Sequence, residues 1–326
     1  MSQPDPPKAR SHDGTLSGVH PAGQRTGALS AQDTRWPALR AARAHDPATR
    51  VPFDIDGEVV GSVARRHLQA LLPFAPALHL DDDRVTLRVA APARDATLAH
   101  LNRRLRAQGL IVAWRDEVFP LPDARGTARL ACIERAACRF WGTLTFGAHG
   151  TGYVADAAGR PQALWIAQRA FNKATDPGKY DNLVGGGVPA GQTPRQALIR
   201  EGWEEAGLSP EQMRPAAAAS VLTLHRDIPE GLQREWLFSY DLALPAGLAP
   251  RNQDGEVARF ELMSASEALL LASSDAMTVD AALVTLDFAL RHRLLPTADG
   301  LELEARFKVL RMATPFNDSE AGRHLG

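Results

Sequence analysis

Three glutamates, Glu201, Glu204 and Glu205, stand close behind a run of glycines, Gly185-Gly186-Gly187, and directly after Arg200. On a helix, at about 100° per residue, the three carboxylates fall within an arc of about 100°. Glu201 and Glu205 form a like-charged i,i+4 pair, which costs a few tenths of a kcal/mol. Glu204 and Glu205 also occupy the last turn, where the helix dipole disfavours anions. Two penalties at one spot call for a compensating cation, and oxygen-only ligands suit Mg²⁺ or Mn²⁺. For the helix alone, a solvated acidic face is the competing reading.

The helix that must carry these groups has both ends written in the sequence. Thr193 suits the N-cap, Pro194 the first helical position, and Thr193 with Gln196 matches a capping box. Gly207 is a natural C-terminal stop. Ile199, Trp203 and Ala206, with Gly202 beside them, read as an apolar stripe opposite the glutamates. Upstream, Leu164 to Arg169 alternates as a strand, placing Trp165 and Arg169 on one face with Lys173 shortly after. Cations and a ring on a shared face suit a diphosphate joined to a ring system, though surface charge beside a half-buried Trp fits equally well. Downstream, Asp254-Gly255-Glu256-Val257 reads as a turn that aims Glu256 back across a sheet; an exposed hairpin glutamate is the alternative.

The 326 residues suggest about two domains. Hydrophobic content of 44% and charged content of 23% describe an ordinary globular chain. A formal net charge of -1 gives no electrostatic case for nucleic acid or an anionic membrane. Cys132 and Cys138 have neither disulfide-framework nor zinc spacing and read as reduced core residues. No membrane-length apolar run or signal-peptide core is seen, so the expected location is cytoplasmic. Residues 1–30, including His12 and His20, read as a disordered tail, 31–130 as an α+β accessory domain, 131–312 as the domain holding the glutamates, and 313–326 as a loose tail. Within these, Val63–Leu72 and Thr97–Gln108 read as helices and Leu110–Trp114 as a strand. Phe140–Phe146 and Gly152–Ala155 read as strands around a His149-Gly150-Thr151-Gly152 turn.

The glycine loop and acidic helix together resemble the Nudix hydrolase signature. Gly186 fits its first glycine, and Arg200, Glu201, Glu204, Glu205, Gly207 and Leu208 fit the block that follows. Gln192 stands where the family has Glu, and Gly202 where it has an apolar residue. Segments around Trp114, Ile133, His149, Trp165, Asp181 and Glu256 also resemble one Nudix branch, whose N-terminal domain is related to thiamin pyrophosphokinase. The resemblance implies an α+β chain: a Nudix α/β/α sandwich with a mixed sheet behind a small accessory domain. It also implies hydrolysis of thiamin diphosphate, or its oxidised forms, to the monophosphate. In that expectation Glu201, Glu204, Glu205 and the carbonyl of Gly185 hold Mg²⁺ or Mn²⁺. Arg200 orients the carboxylates, and Glu201 or Glu256 accepts the proton of the attacking water. Gly186 and Gly187 admit the diphosphate, and Arg169 or Lys173 clamps its distal phosphate beside Trp165.

Two rivals stay open: a pyrophosphatase of ADP-ribose or dinucleotides, and a non-catalytic Nudix-fold module that senses a nucleotide. Keeping three like-charged glutamates argues against the second. The expected partner is a small-molecule diphosphate, with a homodimer contact as one use of the N-terminal domain.

Overall fold

The computed structural model describes residues 35–312; both expected tails, with His12 and His20, lie outside the described residues. After a short helix α1 (Pro37–Ala41), strands β1 (Arg50–Ile55), β2 (Glu58–Ala64), β3 (Leu78–Asp81) and β4 (Arg84–Leu87) build a sheet in the order β2-β1-β4-β3. Helices α2 (Leu68–Leu71) and α3 (Arg94–Ala107) accompany it, and a hairpin of β5 (Val118–Pro122) and β6 (Arg129–Glu134) leads into α4 (Arg135–Trp141). Their apolar faces meet in one cluster that includes Phe53, Leu101, Ile133 and Trp141. The buried Trp141 indole N–H donates to Asn102 Oδ1 at 2.8 Å, while Asn102 Nδ2 is buried without a partner.

The second unit is a seven-stranded mixed sheet. Its path is β11 (Ala217–Ile228), β12 (Gly231–Ala243), β7 (Leu144–Ala155), β8 (Pro161–Arg169), β13 (Val257–Ser264), with β10 (Val184–Gly187) on β7 and β9 (Tyr180–Asp181) on β8. The β12/β7 pair is parallel and the other pairs are antiparallel. Against one face pack α7 (Ala265–Ala272), α8 (Val279–Arg291) and α9 (Thr297–Phe307), sharing a core with Leu164, Ile166 and Leu237. Against the other pack α5 (Pro194–Ala206) and α6 (Pro210–Met213), around Phe146, Leu183, Leu198 and Phe238. Helices on both faces of a mixed sheet, behind an α+β accessory unit, make the α/β/α sandwich that was expected. Among the described residues no helix is long and apolar enough to cross a membrane.

Several local expectations are corrected. Leu110–Trp114 forms no strand: Ala113 adopts a φ of 57°, which an extended run cannot contain. Val63–Leu72 is the end of β2, a 3-10 turn and the four-residue α2. No turn exists at His149, because β7 runs unbroken from Leu144 to Ala155. Its glycines serve packing: a Cβ at Gly150 would press on Leu198, and one at Gly152 would overlap Leu183. Residues 131–141, assigned by sequence to the second domain, contribute Ala131, Ile133, Phe140 and Trp141 to the first cluster. Trp36 of the first segment lies instead in the second unit, buried with α8 and α9.

Candidate active site

Helix α5 is closed at both ends by its own sequence. Thr193 and Gln196 complete a reciprocal capping box, and Gly207 takes φ 65° to end the helix. The helix is rotated relative to the sequence expectation. Trp203 is 53% exposed, whereas Glu201 and Glu205 are each only 8% exposed, alongside Ala197 and Leu198. At about 100° per residue these two glutamates lie near the middle of the buried face, with Trp203 almost opposite. The acidic side is therefore the inward side, and the reading as a solvated face is excluded.

The inward glutamates meet the glycine strand β10. The Gly185 N–H donates to Glu205 Oε2 at 3.0 Å, and a Cβ at Gly186 would overlap the Glu201 carboxyl. On its far side a Cβ at Gly185 would come within 2.9 Å of His149, and one at Gly187 would overlap Phe119. Only a strand without side chains fits between these groups. Arg200 bridges the outer carboxylates, at 2.8 Å from Glu201 and 2.7 Å from Glu204. Its Nε donates to Gln192 Oε1 at 3.3 Å, a neutral bond where the family glutamate would give an ion pair. A Cβ at Gly202 would stand 2.6 Å from Met213 Sδ, so α6 occupies the space that an apolar family residue would take.

Burial first, and then the Glu201 charge, push the Glu205 carboxyl well above the usual carboxylate range, against the pull of the Gly185 N–H. Burial also raises Glu201, more than the Arg200 guanidinium offsets. Two carboxylates pressed together out of water, with one arginine on their outer edge, are electrostatically incomplete, and a hard divalent cation would complete them. The donor set fits such an ion, but it is not closed. Among the described residues no three His, Cys, Asp or Glu side chains already converge on a metal position, since Glu204 is drawn to Arg200.

The expected clamp residues are placed differently. Arg169 donates to Asp181 at 2.9 Å and to the carbonyls of Thr175 and Asp176, so its guanidinium is committed to its own loop. Lys173 is ion-paired with Glu256, which Arg115 also reaches at 3.2 Å. Burial alone would raise Glu256, but Lys173 and then Arg115 outweigh it and hold the carboxyl below its ordinary range. Trp165 packs into the core beneath α5, its indole nitrogen buried without a partner. Structure thus brings Glu201, Glu204, Glu205, Arg200, Gly185, Gly186 and Gly187 together, and pairs Glu256 with Lys173 and Arg115, the Lys173 charge also acting on Glu205.

Sequence reasoning missed a cleft of about 270 Å³ beside the glycine strand, walled by Arg135, Arg139, Arg226, Glu235 and Asp280 as well as Arg169 and His149. Arg135 and Arg139 come from α4 of the accessory unit, Arg226 from β11, Glu235 from β12, Asp280 from α8, Arg169 from β8 and His149 from β7. Spacing carries no signal for groups gathered from six elements; Arg135, His149 and Arg169 fell within segments that the family resemblance had marked, and Arg139, Arg226, Glu235 and Asp280 did not.

Comparison with known proteins agrees with this layout. Residues 151–282 match the NUDIX domain model, and residues 36–145 match a domain of unknown function, DUF4743. Nudix hydrolase 24, chloroplastic, of Arabidopsis thaliana is 33% identical over 267 residues, covering 79% of this chain and 72% of that protein. Nudix hydrolase 20, chloroplastic, of the same plant is 31% identical over 274 residues, with the same shares covered. Among solved structures, DR0079 from Deinococcus radiodurans is 21% identical with a TM-score of 0.40, over 52% of this chain and 97% of that one. Relatives of that identity and coverage, with a domain match that spans the glycine strand and the glutamate helix, establish that the chain belongs to the Nudix hydrolase family and is a Nudix pyrophosphohydrolase.

Proposed function

We propose that the protein hydrolyses the phosphoric anhydride of an organic diphosphate to the monophosphate, with thiamin diphosphate or its oxidised analogues as the leading substrates and Mg²⁺ or Mn²⁺ as cofactor. The observation that carries the reaction class is the burial of Glu201 and Glu205 against a glycine strand that admits no side chain. The choice of thiamin diphosphate rests on the sequence resemblance alone.

Glu201, Glu204, Glu205 and the Gly185 carbonyl are the groups that would hold the ion. When bound, it would neutralise diphosphate oxygens and acidify a water. Arg200 keeps Glu201 and Glu204 oriented through its two ion pairs. The bare β10 backbone lets the diphosphate approach the carboxylates closely. Glu201 takes the proton of the attacking water in this reading, because Glu256 already shares its charge with Lys173 and Arg115. The cytoplasm is the proposed location, although the names of both plant relatives place those proteins in the chloroplast.

A hydrolysis assay that reads the products, free phosphate from the thiamin diphosphate forms and nucleoside monophosphate from the nucleotides, decides between substrates. Thiamin diphosphate and its oxidised analogues, ADP-ribose and dinucleotides are compared with the full chain at saturating Mg²⁺. Preferential turnover of thiamin diphosphate forms is expected, and turnover of the nucleotides alone would overturn the substrate assignment. A nucleotide that binds without any turnover would favour a sensing module.

A further inference from the structure

The cleft beside β10 holds unpaired charge of both signs. Arg139 and Arg226 form no ion pair among the described residues, and Arg226 Nε is buried without any hydrogen-bond partner. Glu235 and Asp280 likewise have no ion-pair partner among the described residues. Both lean on one neutral group: Gln233 Nε2 lies 2.8 Å from Glu235 Oε2 and 3.2 and 3.1 Å from the two oxygens of Asp280. A side-chain amide has two hydrogens to give, so three carboxylate oxygens around it leave acceptor capacity unmet.

In a partly buried cleft, free arginines and carboxylates of ordinary length would gain by collapsing onto one another. These are held apart instead. Arg139 comes from α4, Arg226 from β11, Glu235 from β12 and Asp280 from the first turn of α8. Gly147 beneath Glu235 supports the same point, because a Cβ there would stand 2.8 Å from Glu235 Oε1 and push it from its place. Burial first, and Asp280 second, raise the Glu235 carboxyl above its usual range, more than the Gln233 hydrogen bond and the Arg139 charge offset.

We propose that this cleft selects the organic half of the substrate as a dipolar site. Arg139 and Arg226 bind an anionic oxygen group, and the Glu235–Gln233–Asp280 cluster binds a cationic or N–H-bearing heterocycle on the same molecule. The inference deepens the hydrolase reading and rests on it for the position of the scissile bond, since only the β10 backbone separates the cleft from Glu201 and Glu205. It also gives the accessory unit a task, because Arg139 reaches the cleft from α4.

The test uses the full chain and two organic diphosphates, one with a cationic amino-heterocycle head (thiamin diphosphate) and one with a neutral alkyl head. Glu235→Gln combined with Asp280→Asn is expected to raise KM for the cationic head about tenfold or more, and to change the neutral one by less than about twofold. Arg139→Gln should raise KM for both, with kcat little changed. Calorimetric binding of both ligands to wild type and variants in EDTA runs in parallel. Equal effects of the Glu235/Asp280 exchange on the two heads, or no effect on either, would overturn the dipolar site. If neither compound is hydrolysed yet binding still discriminates as stated, the hydrolytic reading fails and the cleft assignment stands.

Discussion

At the scale of single residues, the site turns on charges that the fold has placed where water would not. Glu205→Gln is expected to lower kcat/KM by at least about a hundredfold in a phosphate-release assay, while thermal melting without metal stays level or rises, because a buried uncompensated charge has been removed. A fall in melting temperature with activity intact would contradict this. Gly186→Ala tests the wall itself. The added methyl would overlap the Glu201 carboxyl, and about a tenfold or larger loss of activity is expected in a chain that still folds. The carboxylates and their arginine were legible from residue types and spacing. The side of the helix that faces inward was not, because Trp203 and Ile199 look more like core than glutamates do. Hydrophobic patterning fails where function requires charge to be buried, and Trp203 is left outside at 53% exposure.

At the scale of elements, cap chemistry was readable because its signals are local, as the Thr193–Gln196 box shows. Glycines misled where they serve packing instead of turning, as in β7 at Gly150 and Gly152. Gly202 is a third case with a measurable consequence. Gly202→Leu restores the family pattern but drives a side chain into Met213, so denaturant unfolding should show a loss of about 1–3 kcal/mol. A pH effect belongs to β11, where the His225 ring stacks on His45 with centroids 4.3 Å apart. Burial, and then the neighbouring His45, lower His225 from 6.5 to about 4. The unfolded chain therefore binds the extra proton first as pH falls, and stability should drop between about 6.5 and about 4. With a half-buried ring screened by solvent, roughly 1–2 kcal/mol is expected, and His225→Gln should flatten that limb of the stability–pH curve.

At the scale of the whole molecule, the dipolar cleft could not be read along the chain, since its walls come from residues 135 to 280 and meet only through tertiary packing. The sandwich itself was readable from the alternation of strands and helices and from the family resemblance. The junction of the units was not, because it follows packing and not composition. Trp36 stands before the accessory unit in sequence but is 2% exposed in the core of the hydrolase unit, beside α8. Trp36→Ala should cost about 3–5 kcal/mol in denaturant unfolding, as loss of a core indole does. The chain is thus seated on the hydrolase unit at Trp36, leaves to build the accessory unit, and returns at Leu144 into β7. A module joined at one point can swing, whereas one joined at two can only twist about the line between them. The arginines that α4 extends into the cleft are therefore held at a set distance from the glycine strand before any ligand arrives, and little ordering entropy remains to be lost on binding.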